Sequence, residues 1–222
     1  MGAGLLIKSF LLLQRPQTGF RPQGLLTLTL SLSGSPFAEP ARRPVFFREL
    51  AERVRSIPGV EGAGFVNHVP VGGDTWGTSF TIEGLPNADP RATPQAVMRT
   101  ITAELLGTMG IPLLRGRGFD QSDRADAPAV VLVNQALARR YWPGGDPVGS
   151  RIRLGGPASD APLRTIVEVV GDARQASLID PVRPEVLFPY AQDPVGWYQG
   201  TTLVVRTATE PRLRAEAVKA QV

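Results

Sequence analysis

The chain has 222 residues, of which 42% are hydrophobic and 20% charged, with 24 Gly and 21 Pro. That balance excludes a disordered chain and leaves room for a real core in one large domain or two small ones. The formal charge is +4, but only Lys8 and Lys219 are Lys and the Arg residues are spread along the chain without interleaved aromatics, which argues against a nucleic-acid interface. Cys is absent, which excludes disulfides, thiolate metal sites and cysteine nucleophiles.

The first segment, MGAGLLIKSFLLLQRP, is apolar from Ala3 to Leu13 except at Lys8 and Ser9. It is shorter than the ~20 apolar residues that span a bilayer. It also lacks the basic start and small-residue cleavage site of a signal peptide. Two readings stand: the outer end of a membrane helix, or an amphipathic helix on the core.

GLLTLTLSLS (Gly24 to Ser33) alternates Leu26, Leu28, Leu30 and Leu32 with Thr and Ser, the period of a strand with one buried face. A helix follows, with Phe46, Leu50, Val54 and Ile57 on one face, stopped by Pro58-Gly59. VEGAGFVNHVP (Val60 to Pro70) reads as a strand, completing a β-α-β unit. TSFTIEG and QAVMRTIT are further strands, separated by a polar, Pro-rich loop through Pro94. AELLGTMG is a short helix with Thr102 as its expected cap and Gly110 as its stop. IPLLRGRGF extends to Phe119, and a polar loop with Asp120, Asp123 and Asp126 leads to AVVLV, a buried-type strand. Asn134 is placed to cap the next helix. RIRL, TIVEVVGDAR, EVLFPYAQ and TTLVVRT are four more strand candidates. A last helix, EPRLRAEAVKAQV, carries Pro211 in its first turn. TTLVVRT and this helix form a β-α pair without a second strand.

None of the candidate chemical motifs is complete. A G-x-x-x-x-G-K-[ST] phosphate loop needs a Lys that neither Lys8 nor Lys219 provides. GVEGAG (Gly59 to Gly64) has the wrong spacing for a dinucleotide fingerprint and precedes a strand. His68 is the single His, with no G-x-S-x-G elbow and no further His or Cys for a zinc site. The Asp120, Asp123 and Asp126 spacing of three does not match a calcium loop, so the segment reads as a solvated connector. Glu168 shares the face of Ile166 and Val170 by strand alternation, at a sheet edge or paired with an Arg. In NQALARRYWPGGDPVGSRIRL, Leu137 and Tyr141, and Ala138 and Trp142, form two apolar rows, with Arg139 and Arg140 near the helix C-terminus. Pro143 stops the helix, Gly144 and Gly145 supply positive φ, and Asp146-Pro147 turns the chain before Gly149. A phosphate cradle precedes a helix, whereas these glycines follow one, so the stretch is a helix stop feeding a strand.

Taken in order, GAGLLIKSFLLLQ, FFRELAERVRSIPGVEGAGFVNHVP, MGIPLLRGRGF, AVVLVNQALARRYWPGGDPVGSRIRL, TIVEVVGDAR and VLFPYAQ resemble the extracytoplasmic (periplasmic core) domain of MacB-like and FtsX-like ABC-transporter permeases. The duplicated, ATPase-lacking subgroup common in acidobacteria is the nearest in pattern. The resemblance covers nearly the whole chain and rests on the ordered set of segments.

The resemblance implies an α+β fold. Residues 1–14 become the end of a truncated transmembrane helix. Residues 20–72 and 199–222 become a porter-like subdomain of ferredoxin-like β-α-β units whose C-terminal strand is missing, and 73–198 an inserted, strand-rich sabre-like subdomain. Both open ends are then expected of a fragmentary reading frame. The resemblance implies no catalytic residues, no metal and no cofactor. It implies a membrane-anchored place on the periplasmic side of the bacterial inner membrane. The implied partners are a separate ABC ATPase subunit, a periplasmic adaptor or a second permease half. The expected role is mechanotransmission, the coupling of membrane-helix motion to movement of a substrate or partner outside. Two alternatives stand beside it: a lipid- or peptide-binding module using a cleft between the subdomains, and a secreted hydrolase converging on His68 or the Asp120 loop.

Overall fold

The computed structural model describes residues 18–222, apart from 33, 36, 38, 40, 41, 74, 86–92 and 194–199. The apolar stretch at residues 3–13 lies outside the described residues. Among the described residues no helix is long and apolar enough to cross a membrane.

The first unit follows the leucine alternation. In β1 (Leu25–Ser31) Thr27, Thr29 and Ser31 face solvent, while Leu26, Leu28 and Leu30 turn to one core with Leu32 just beyond. α1 (Arg43–Arg55) has Pro44 in its first turn and Arg53 and Arg55 in its last, each suited to its end of a helix. It buries Phe46, Leu50 and Val54 as expected, and also Phe47 and Ala51, so its apolar face is wider than one row. β2 (Val60–Val66) returns parallel to β1, but the two are not neighbours. β10 (Gly200–Thr207) runs between them, antiparallel to both.

The other strands are β3 (Trp76–Ile82), β4 (Gln95–Ile101), β5 (Leu113–Gly116), β6 (Val130–Asn134), β7 (Arg151–Leu154), β8 (Leu163–Val170) and β9 (Glu185–Pro189). Their pairings run β4-β3-β7-β8-β6-β9 and return to β4, which closes a small barrel. A ring this narrow is filled by side chains. Alternate residues of every strand supply them: Phe80 and Ile82, Ala96 and Met98, Val131 and Val133, Ile152, Ile166, Val186 and Phe188. α3 (Gln135–Tyr141) packs Leu137 into this core and sets Tyr141 edge-on to Phe80 at 5.3 Å. β5 lies outside the ring, on β8.

A second core joins the three-stranded sheet to the barrel. α2 (Leu105–Met109) contributes Leu105, Leu106 and Met109, the sheet Val66 and Val204, and the barrel exterior Ile101, Leu132, Val170 and Leu187. Gly64 in GVEGAG serves this packing, since a Cβ there would sit 2.8 Å from Leu105 Cα. α2 starts after Glu104, not on a Thr102 cap, because the Thr102 hydroxyl accepts the Phe65 amide at 3.0 Å across the sheet. Gly110 does stop the helix, at φ +71°. The last helix is short: a 3-10 turn (Pro211–Arg214) precedes α4 (Ala215–Lys219), whose Val218 enters the first core.

Candidate functional site: a buried polar seam

Sheet and barrel touch backbone to backbone at one strand pair, Val66 opposite Ile101. Side chains extend that contact on both sides. The Asn67 Oδ1 accepts the Thr100 amide at 3.0 Å, and Thr102 receives Phe65 as described.

One row further along β4 lies a buried ion pair. Glu185 stands opposite Val97 on the parallel strand β9, and Arg99, two residues on, shares its face. Arg99 Nε donates to Glu185 Oε1 at 2.6 Å, and both side chains are about 95% buried, with exposures of 4% and 5%. Arg99 Nη1 donates to the His68 carbonyl at 2.6 Å, fastening the loop that leaves β2. Gln175 Nε2 reaches Glu185 Oε2 at 3.4 Å and the Arg183 carbonyl at 3.0 Å. Asn134 Oδ1 accepts both the Leu137 amide that begins α3 and the Glu185 amide. Five segments therefore converge at one pair of charges: the β2–β3 loop, β4, the β6–α3 junction, the 171–184 loop and β9. The cavity beside them is about 10 Å³, room for roughly one water. Side chains fill the junction beside this ion pair, and the space there is too small for a lipid or peptide.

An open apolar groove of about 430 Å³ lies elsewhere, along β1, lined by Leu28, Leu30, Leu32, Phe37, Phe46 and Val222. Among the described residues β1 pairs on one side only, with β10.

The residues singled out in the sequence do not come together. His68 lies tilted against Trp76, ring centroids 5.0 Å apart, and the Asp120 loop lies in another part of the chain's fold. Among the described residues no group of His, Cys, Asp and Glu is arranged to hold a metal ion. The Asp120 segment is a largely exposed connector, as read, with Asp123 as the exception. Asp123 is 4% exposed and takes Arg117 in a two-point pair at 2.8 and 2.7 Å, together with the Asp120 amide at 2.9 Å. The hydrogen bond to Asp123 raises the Arg117 pKa. Asp120 turns its carboxylate onto the Ser122 hydroxyl and amide, which lowers its pKa, and Asp126 pairs with Arg124 at the surface.

Glu168 is neither at an open edge nor paired with an Arg. The β6–β8 register skips Val167, so Val169 joins the barrel core with Ile166 and simple alternation fails there. The β5–β8 register slips too, between Leu113 and Arg115. Glu168 Oε1 accepts the Leu114 and Arg115 amides, each at 2.8 Å, and pins this bulge. Arg164, also on β8, is buried with its guanidinium 5.3 Å from the Phe188 ring centroid, and desolvation lowers its pKa against the pull of Asp193.

NQALARRYWPGGDPVGSRIRL has the architectural role read from its order. Gly144 and Gly149 take positive φ, Gly145 does not. The Gly145 and Gly149 amides donate to the Trp142 and Ile166 carbonyls, which leaves neither for an anion. The Asp146 carboxylate accepts the Val148 amide at 3.0 Å.

The periplasmic region of MacB from Actinobacillus actinomycetemcomitans has a similar fold, with a TM-score of 0.57 and 12% identity over 91% of this chain and 83% of that one. A domain of a permease protein from Porphyromonas gingivalis is similar at a TM-score of 0.54 and 21% identity, over 91% and 85%. No curated protein matches the sequence. The model of the MacB-like periplasmic core domain matches residues 15–222, and the chain belongs to that family. It is thus an extracytoplasmic domain of an ABC-transporter-type permease.

Proposed function

We propose that this domain is a mechanotransmission element, carrying membrane-helix motion to a substrate or partner outside the membrane. The filled, ion-paired seam is the observation that supports this most, because a domain without a hinge between its parts moves as one lever. In this reading residues 1–14 end a transmembrane helix in the bacterial inner membrane. Residues 20–72 and 199–222 form the porter-like part, with ferredoxin-like connectivity. The sabre-like part is 73–198, a span that contains β3 to β9. Motion is supplied by a separate ATPase subunit, and the receiving partner is a periplasmic adaptor or a second permease half, in the manner of the duplicated acidobacterial-type subgroup.

Spin-label pairs in the membrane-embedded permease with its ATPase test this. Labels at Arg212 and Asp160 report sheet-to-barrel distance, and a third at the membrane boundary reports movement of the whole. The expected result is a constant internal distance and a nucleotide-dependent displacement from the membrane. A domain that stays fixed relative to the membrane through the nucleotide cycle overturns the reading.

The groove along β1 favours a second reading, an interaction module that takes an extended apolar peptide beside that strand. Saturable binding of such a peptide, abolished by Leu28→Glu, is its test.

A further inference from the structure

We propose that residues 18–24 form a strap that fastens the entry of the chain to sheet and barrel at once, with Arg206 as its clamp. The inference rests on the mechanotransmission reading for its meaning, though not for its geometry. Before β1 begins, the chain crosses the junction and is held at nearly every step. At the barrel end, the Thr18 carbonyl accepts the Arg174 amide at 2.9 Å. Gly19, at φ +78°, lies so close to the 171–174 turn that a Cβ would stand 1.8 Å from the Asp172 carbonyl oxygen. Phe20 packs on the core between sheet and barrel. At the sheet end, the Arg21 amide donates to the Met109 carbonyl at 2.8 Å, at the close of α2.

Arg206 on β10 then binds three carbonyls with one guanidinium. Its Nε donates to Thr108 at 2.6 Å, Nη1 to Gln23 at 2.9 Å and Nη2 to Arg21 at 2.8 Å. The rigid fork of an Arg suits three divergent acceptors, and a Lys does not reproduce it. Gly24 closes the strap, its carbonyl accepting the Thr207 amide at 2.8 Å. The segment arriving from residues 1–17 therefore meets a strap bonded to β10, α2 and the barrel's 171–174 turn. A pull or twist on it is delivered to both parts together, not first to β1.

Amide hydrogen exchange of the chain, resolved by NMR, tests whether the strap is one unit. Arg206→Ala removes donors at its sheet end only. We expect exchange of the Arg21 amide to rise about tenfold or more, and exchange of the distant Arg174 amide to rise by a similar factor, while the barrel amides of Val131 and Val133 stay within about threefold. Arg206→Lys should fall between the wild type and Arg206→Ala. Gly19→Val works from the other end and should speed the Arg21 amide. If Arg206→Ala prevents folding, Gly19→Val alone decides. A faster Arg21 amide with an unchanged Arg174 amide, or Gly19→Val without effect on Arg21, overturns the strap. The measurement needs no membrane or ATPase, so its failure sinks the strap alone, while a fixed domain in the spin-label experiment sinks the mechanotransmission reading alone.

Discussion

The Arg99–Glu185 pair carries the sharpest prediction at the level of single residues. Two buried charges hold each other at 2.6 Å, and deleting one strands the other. Glu185→Ala should cost about 3–5 kcal/mol, read from the urea midpoint, and the double substitution Arg99→Met with Glu185→Leu should recover most of it. Single and double variants of equal stability would show that the pair is not coupled. Asp120 gives a pH-dependent case. Its folded pKa is lowered from 3.8, first by the Ser122 hydroxyl. A depressed carboxylate pKa adds stability at pH values above the unfolded value, and this is lost as pH falls through the folded one. Ser122→Ala should move the Asp120 midpoint up toward 3.8 in an NMR titration. Asp146→Ala removes one exposed turn contact and should cost no more than about 1 kcal/mol.

Among the elements, β5 depends on a side chain from its neighbour. Its four residues are exposed, and the Leu114 and Arg115 amides are satisfied by Glu168 instead of a regular ladder. Glu168→Ala should free both amides, raise β5 exchange well above that of β6, and cost about 2–4 kcal/mol in all, since two hydrogen bonds to a buried carboxylate are lost. Unchanged β5 protection would assign the bulge to backbone pairing alone. This element also marks where the sequence ceases to be legible. The period of two in GLLTLTLSLS, the Asn134 cap and the Pro143 stop are local, and local rules suffice for them. Alternation places Glu168 with Ile166 and Val170, and a single bulge parts it from Ile166 while leaving it on the face of Val170. The Asp120 segment reads as solvated and most of it is; Asp123 departs from that reading because the contact that buries it belongs to Arg117, outside the segment.

At the scale of the whole molecule, ring closure depends on β4 meeting β9, partners some 90 residues apart, such as Met98 and Val186. No window of sequence contains that pairing. The seam was hidden for the same reason, although each of its charges left a trace, as an Arg inside QAVMRTIT and a Glu opening EVLFPYAQ. One junction core shared by sheet and barrel predicts one cooperative unit. Core amides of β10 and β8 should then report opening free energies within about 1 kcal/mol of each other. A sheet that opens several kcal/mol below the barrel would mean two folding units, and the single-lever reading would lose its support.

The exposed side of β1 has a practical consequence for handling the isolated polypeptide. Among the described residues β1 is an edge strand beside an apolar groove, a template for edge-to-edge association, and aggregation through it should grow with concentration. Thr29 faces solvent in the middle of that edge. Thr29→Lys should suppress concentration-dependent light scattering and leave the unfolding midpoint within about 0.5 kcal/mol of the parent. If scattering persists unchanged, self-association uses another surface.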